Sequence, residues 1–233
     1  RHYMSSIKST FIPEIIVGKD YNDYMKNIFP TLQSLGDDKL SLLDQVIPHA
    51  DDDGYWLEFG VHKGETITHT AGCKLSTPNF KIHGFDSFEG LPEDWLQPDT
   101  GHPNLKGHFD LNGQIPSHLL SLNTVNIVKG WFNKSLPKFI EDNNINKISF
   151  LNIDSDLYSS ASTILTLLSP YFKGHCVMYF DEFCNYPGGE NGEYKAFSEF
   201  LHNNKNNIEI CIPLGIGMPH GFSVASFVIR FKK

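Results

Sequence analysis

From Tyr55 onward the chain alternates short, almost unbroken apolar runs with stretches whose apolar residues recur every three or four positions. The runs predict strands at 55–59, 81–85, 125–128, 148–153, 176–180, 208–212 and 226–231. The helical spacing predicts helices from about residue 65 and over 136–142, 160–168 and 193–203. Ahead of this region, Tyr21, Tyr24, Met25, Ile28 and Phe29 fall at helical spacing, as do Leu40, Leu43, Val46 and Ile47. A break at Phe29-Pro30 and a turn at Gly36-Asp37-Asp38 separate those two helices. Residues 1–50 therefore read as a helical arm or lid, and 51–233 as one α/β domain. Residues 89–122 carry four prolines and no periodicity, which predicts a long functional loop.

Strands alternating with helices, and strands apolar along their whole length, point to a largely parallel sheet covered on both faces. The last two strands, joined by a Gly/Pro-rich link, suit an antiparallel hairpin. In such a doubly wound sheet, ligands gather at the carboxyl ends of the strands. Acids collect there: Glu58 near the end of the first strand, Asp86 at the second, Asp154 at the fourth, and Asp181-Glu182 at the fifth. Gly60-x-x-x-Gly64 makes a tight turn between the first strand and its helix, where a nucleotide-like ligand comes close to bare backbone. Asp86 follows Gly64 by 22 residues, the position from which an acid accepts hydrogen bonds from ribose hydroxyls.

The bulk numbers narrow the partners. With 233 residues the chain is long enough for one full α/β domain. A net charge of −8 offers no basic stripe for nucleic acid. No apolar run is long enough to span a membrane. Cys73, Cys176, Cys184 and Cys211 are widely spaced and form no C-x-x-C pair, so they read as reduced thiols of a cytoplasmic protein.

Asp154 and Asp181 stand one strand–helix–strand unit apart. If their strands are neighbours, these two acids and Glu182 make a set of hard oxygen ligands for Mg²⁺, Ca²⁺ or Mn²⁺. The same residues also suit a structural role at helix starts, and residue type and spacing leave both readings open. His62, His102, His108 and His220 lie in turns or loops from which a general base can act, or they are ordinary surface histidines. Asp156 and Tyr158 are candidates for the pocket wall, with Ser159 or Ser160 as a helix cap in the competing reading. Trp131-Phe132 is suited to stacking on an adenine, or simply to packing under the sheet edge.

An ordered set of motifs then resembles a known family. It comprises Glu58-Phe59-Gly60-Val61 with Gly64; Gly84-Phe85-Asp86-Ser87-Phe88-Glu89-Gly90-Leu91-Pro92; Gly130-Trp131-Phe132 with Leu136-Pro137; Ile153-Asp154-Ser155-Asp156-Leu157-Tyr158-Ser159-Ser160; and Phe180-Asp181-Glu182-Phe183. Over roughly residues 54–203 the chain resembles the macrocin O-methyltransferase (TylF-like) family of class I S-adenosylmethionine-dependent methyltransferases. The resemblance implies a Rossmann-like doubly wound seven-stranded sheet with an antiparallel last strand. It implies that Gly60 and Gly64 cradle the methionine part of S-adenosylmethionine. Asp86 would hold the ribose, and Ser87, Phe88, Trp131 and Phe132 would lie near the adenosine. Glu58, Thr66 and Asp156 complete the cofactor-binding set. It further implies Mg²⁺ on Asp154, Asp181 and Glu182, with Asp154 as the catalytic residue, and a sugar or other small polyhydroxy metabolite as acceptor. The family pattern often has Asp-Asp where this chain has Asp181-Glu182, so the ligand geometry differs here by one methylene.

Three other readings compete. One is a metal-independent methyltransferase of the same fold, acting on a small molecule, including at nitrogen. Another is an NAD-dependent oxidoreductase, disfavoured because the turn lacks G-x-G-x-x-G. The third is a non-catalytic Rossmann-like binding protein. A homodimer built on the N-terminal arm is compatible with the sequence.

Overall fold

The computed structural model describes residues 20–96, 102–218 and 223–232. Its centre is a seven-stranded sheet in the order β3-β2-β1-β4-β5-β7-β6. The strands are β1 Tyr55–Phe59, β2 Ile82–Asp86, β3 Val125–Lys129, β4 Ile148–Ile153, β5 Gly174–Cys184, β6 Ile208–Gly217 and β7 Ser223–Phe231. β1 pairs in parallel with β2 and β4, β2 with β3, and β4 with β5. β7 runs antiparallel between β5 and β6. The fold is therefore the mostly parallel sheet expected from the alternation, of the doubly wound Rossmann-like class that the resemblance implies.

Helices cover both faces because the central strands are buried on both sides. β4 is buried at every position. One core lies under helices Phe132–Asn143, Tyr158–Leu168 and Glu193–Asn204, the other under Lys39–Val46 and Glu65–Cys73. The N-terminal segment contributes to both: Tyr24 and Ile28 enter the first, and Leu42, Leu43, Val46 and Ile47 the second. Gln33 and Leu35 pair by backbone hydrogen bonds with Ile216 of β6, which fixes the segment along the sheet edge. No helix among the described residues is long and apolar enough to cross a membrane.

Three strands run further than their apolar patterns. β5 continues through Asp181 and Glu182 to Cys184, with every residue from Cys176 onward buried. The two acids therefore lie within the strand and not beyond its tip. β6 and β7 lengthen toward each other because their antiparallel ladder carries the polar and glycine positions along. Helix Tyr158–Leu168 starts two residues earlier than its pattern, with Leu157 at the N-cap position and no side-chain cap, so neither Ser159 nor Ser160 caps it.

The described residues of the irregular 89–122 stretch fold back on themselves. The Leu91 backbone donates to His108 and accepts from Gly107 across the loop, and Trp95 and Asn104 exchange a pair of backbone hydrogen bonds. Leu91 and Trp95 form a small separate core with Leu157 and Tyr186, which seats the loop beside the carboxyl ends of the strands.

Candidate active site

The β1 turn is set by contact with its neighbour. Gly60 has φ +91°, and a Cβ there would lie 1.6 Å from the backbone oxygen of Asp154. Only glycine lets the chain leave β1 so close to the end of β4. Gly64, at φ +82°, stands at the N-cap of helix Glu65–Cys73. Beneath the turn the fully buried Glu58 accepts the Thr66 hydroxyl at 2.7 Å and the Asn152 amide at 3.0 Å. Burial pushes the Glu58 carboxyl up to about 7, and those two hydrogen bonds only partly oppose it. Asp86 ties two loops together. Its carboxylate accepts the backbone N–H of His62 at 2.7 Å and that of Phe88 at 2.6 Å.

These elements enclose a cavity of about 630 Å³ at the carboxyl edge of the sheet. Gly60, Gly64 and Thr66 line it from the turn and helix start after β1, Asp86 and Ser87 from the end of β2, and Trp131 and Phe132 from the start of their helix. Asp154, Asp156, Asp181 and Glu182 line it from the carboxyl ends of β4 and β5, with Asp154 directly beside Gly60. Glu58 and Phe88, two residues expected at the cofactor, do not line the cavity. Glu58 sits behind the turn and holds it through Thr66. Phe88, 1% exposed with φ +58°, turns into the core with Trp56 and Val61. Tyr158 also points away, donating its hydroxyl to Glu199 at 2.7 Å. Of the histidines, His62 lines the cavity, and burial holds its pKa below the usual imidazole value. His102 and His108 do not line it, and His220 lies outside the described residues.

The acid end contains a residue with no signal in the sequence. Lys39, the first residue of helix Lys39–Val46, places its Nζ 2.7 Å from Asp154 Oδ2 and 2.8 Å from Asp181 Oδ2. Burial works against its charge, but the two carboxylates outweigh it and hold the ammonium well above its usual value. Asp154 is pushed up to about 6, mainly by burial. Lys39 pulls it down and Asp181 adds to the rise. Burial, then Asp181 and Asp156, push Glu182 well up, and burial does the same to Glu193. Glu193 accepts the backbone N–H groups of Ser155 and Glu182, both at 3.3 Å, and so braces the cluster from behind.

This donor set fits a divalent cation of the oxygen-seeking kind. Carboxylate oxygens of Asp154, Asp156 and Glu182 lie within 4.8 Å of one another. Asp181 Oδ1 and Glu182 Oε2 are buried with no hydrogen-bond partner among the described residues. The grouping differs from the Asp154–Asp181–Glu182 set expected from the motifs. Asp156, at φ +62°, joins the cluster, and Lys39 occupies one oxygen each of Asp154 and Asp181. The β1, β2 and Trp131 wall of the cavity fits an adenosyl cofactor, with bare glycine backbone, an acid already oriented by two N–H donors, and the Trp131 and Phe132 rings. Phe109, Leu91 and Pro92 of the long loop complete the wall. An aperiodic loop gives no sequence signal for which of its residues turn inward. Lys39 was hidden by distance, since 115 residues separate it from Asp154.

The sequence profile of the macrocin O-methyltransferase (TylF) family matches residues 31–210. No curated protein matches at a significant level. Among solved structures, the calicheamicin methyltransferase CalS11 is similar, with a TM-score of 0.60 and 19% identity over 93% of this chain and 88% of that one. The O-methyltransferase NovP gives 0.57 and 17% over 84% and 80%. An O-methyltransferase from Bacillus cereus gives 0.51 and 15% over 82% and 78%. At such identities the structural likeness speaks for the fold, while the profile match, running over well more than half of the 233 residues, speaks for the family. The chain belongs to the macrocin O-methyltransferase family and is an S-adenosylmethionine-dependent methyltransferase.

Proposed function

We propose that this enzyme methylates a hydroxyl oxygen of a sugar or other small polyhydroxy metabolite, with help from a divalent cation, Mg²⁺ by donor type. The observation that carries this reading is the acid cluster Asp154–Asp156–Glu182 in the wall of the same cavity as the glycine turn. The similar folds of CalS11, a TDP-rhamnose 3'-O-methyltransferase, and NovP, an O-methyltransferase, are consistent with that acceptor class.

S-adenosylmethionine, when bound, supplies a methyl group made electrophilic by the sulfonium. A divalent cation, when bound on Asp154, Asp156 and Glu182, supplies charge that lowers the pKa of an acceptor hydroxyl. The chain's own residues do the rest. Gly60 and Gly64 leave the turn backbone open to the cofactor, and Asp86 accepts from its ribose hydroxyls. Trp131 and Phe132 give an apolar wall for the adenine. Asp154, which lines the cavity beside the other acids and whose pKa burial raises and Lys39 lowers, is the group we assign the acceptor's proton. Lys39 keeps Asp154 ionised in a buried setting. Phe109, Leu91 and Pro92 hold the long loop over the site and exclude water.

A second reading, metal-independent transfer, is favoured by Lys39 itself, whose ammonium already neutralises part of the cluster. Calorimetric titration of the cofactor-loaded enzyme with Mg²⁺, with turnover measured on nucleotide-sugar acceptors with and without chelator, separates the two. A Mg²⁺ heat abolished by Glu182→Gln, with turnover lost in chelator, supports the assisted mechanism. Full turnover in chelator overturns it in favour of the lysine-only site.

A further inference from the structure

A second cluster lies on the surface, away from the cavity. Asp44, on helix Lys39–Val46, faces His69 and Cys73, which stand four residues apart on helix Glu65–Cys73 and so share one helix face. Asp44 Oδ1 is 2.8 Å from His69 Nε2 and 3.4 Å from Cys73 Sγ, and Cys73 Sγ is 3.7 Å from His69 Nε2. The three atoms form a closed triangle.

That triangle does not suit a catalytic relay. A Cys–His–Asp relay needs the thiol on one ring nitrogen and the carboxylate on the other. Here both address Nε2, so the ring cannot pass a proton between them. The thiol is also not activated, because burial and the Asp44 carboxylate raise its pKa.

A shared cation suits it well. Tetrahedral zinc has bonds of about 2.0 Å to nitrogen and oxygen and about 2.3 Å to sulfur. These lengths put the N–O edge at about 3.3 Å and both edges to sulfur at about 3.5 Å, so each observed edge lies within about half an ångström of its ideal. Cys73 and Asp44 are exposed and His69 is partly so, which leaves a path for the ion and a fourth position for water. The adjacent Lys74 is turned away, its Nζ 2.7 Å from Asp52 and over the Trp56 ring, so its charge is engaged elsewhere.

We propose that Asp44, His69 and Cys73 form a three-ligand surface site for Zn²⁺ that clamps helix Lys39–Val46 to helix Glu65–Cys73. Binding releases the Cys73 thiol proton to solvent and moves the His69 proton from Nε2, where it faces Asp44, to Nδ1, so the ion meets a thiolate, a neutral imidazole and a carboxylate. A thiolate and an imidazole in the set favour zinc over the hard cations suited to the carboxylate cluster of the cavity. Because helix Lys39–Val46 begins with the lysine that bridges Asp154 and Asp181, the clamp also secures that lysine's helix.

The test uses the reduced, metal-stripped full chain titrated with Co²⁺ as a spectroscopic stand-in. A near-ultraviolet thiolate-to-cobalt charge-transfer band saturating at one equivalent and displaced by Zn²⁺ is expected. The band should vanish in Cys73→Ser and weaken strongly in His69→Gln. Zn²⁺ should raise the melting temperature of the wild type more than that of either variant. Both substitutions are at the surface, so the metal-free melting temperatures should agree. Absence of the band in the wild type, or its persistence in Cys73→Ser, overturns the proposal. The readout is independent of methyl transfer, and an all-oxygen site in the cavity cannot produce the band.

Discussion

Glu58 shows how one side chain braces the site from behind its wall. Its carboxyl is fully buried, with a pKa near 7, while in the unfolded chain it returns to the ordinary carboxylate range. The folded state therefore holds the proton more tightly, and this group's contribution to stability is lost as pH rises from that range through 7. Glu58→Gln removes the dependence. Asn152 Oδ1 has no partner, so an Asn152 amide turned over keeps a hydrogen bond to the new side chain. Urea unfolding at pH 5 and at pH 8 should show the wild type losing on the order of 3 kcal/mol more than the variant across that window. Equal losses would mean that Glu58 is ionised throughout. Lys39 offers a second residue-level prediction. It lowers the pKa of Asp154, so Lys39→Met should move the acid limb of the kcat/KM profile to higher pH, by about one to three units. An unmoved limb would remove Asp154 from the role of base.

At the scale of elements, the helix Lys39–Val46 matters more than its eight residues suggest. Leu42, Leu43 and Val46 bury its inner face against the sheet, and that packing holds Lys39 at the carboxylates. Leu43, fully buried, leaves a cavity when truncated. Leu43→Ala should cost about 2–5 kcal/mol by urea denaturation. It should also lower kcat more than Leu201→Ala, an equally buried change in helix Glu193–Asn204, because only the former loosens the helix that carries Lys39. The apolar periodicity of this helix was legible in the sequence, as were the β1 turn and the acids at the strand ends. What its polar face meets was not, because helical spacing reports which residues point inward and says nothing of a partner 115 positions away.

For the whole molecule, the cavity joins an adenosyl-type wall to an acid end within one 630 Å³ space. A ligand that binds only the folded chain stabilises it by mass action. S-adenosylmethionine at about a hundred times its Kd should add about 2.7 kcal/mol. For a chain of this size that raises the melting temperature by roughly 5–10 °C. Asp86→Ala should abolish the shift, since its carboxylate both orients the turn and faces the cavity. A shift retained in Asp86→Ala would place the cofactor elsewhere.

The sequence by itself determined the order of strands and helices, the glycine turn and the acids on the β1, β2, β4 and β5 segments, because hydrophobic period and turn chemistry are local properties of the chain. Only the tertiary structure decided which carboxylates face one another, that Phe88 turns into the core and Glu58 behind the turn, and that Lys39 bridges Asp154 and Asp181. Those outcomes depend on the register of non-adjacent strands and on where an N-terminal helix docks, and neither is written in any short stretch of sequence. The Asp44–His69–Cys73 triangle belongs to both levels. The four-residue spacing of His69 and Cys73 stands in the sequence, while the third ligand comes from a helix that only the fold brings alongside.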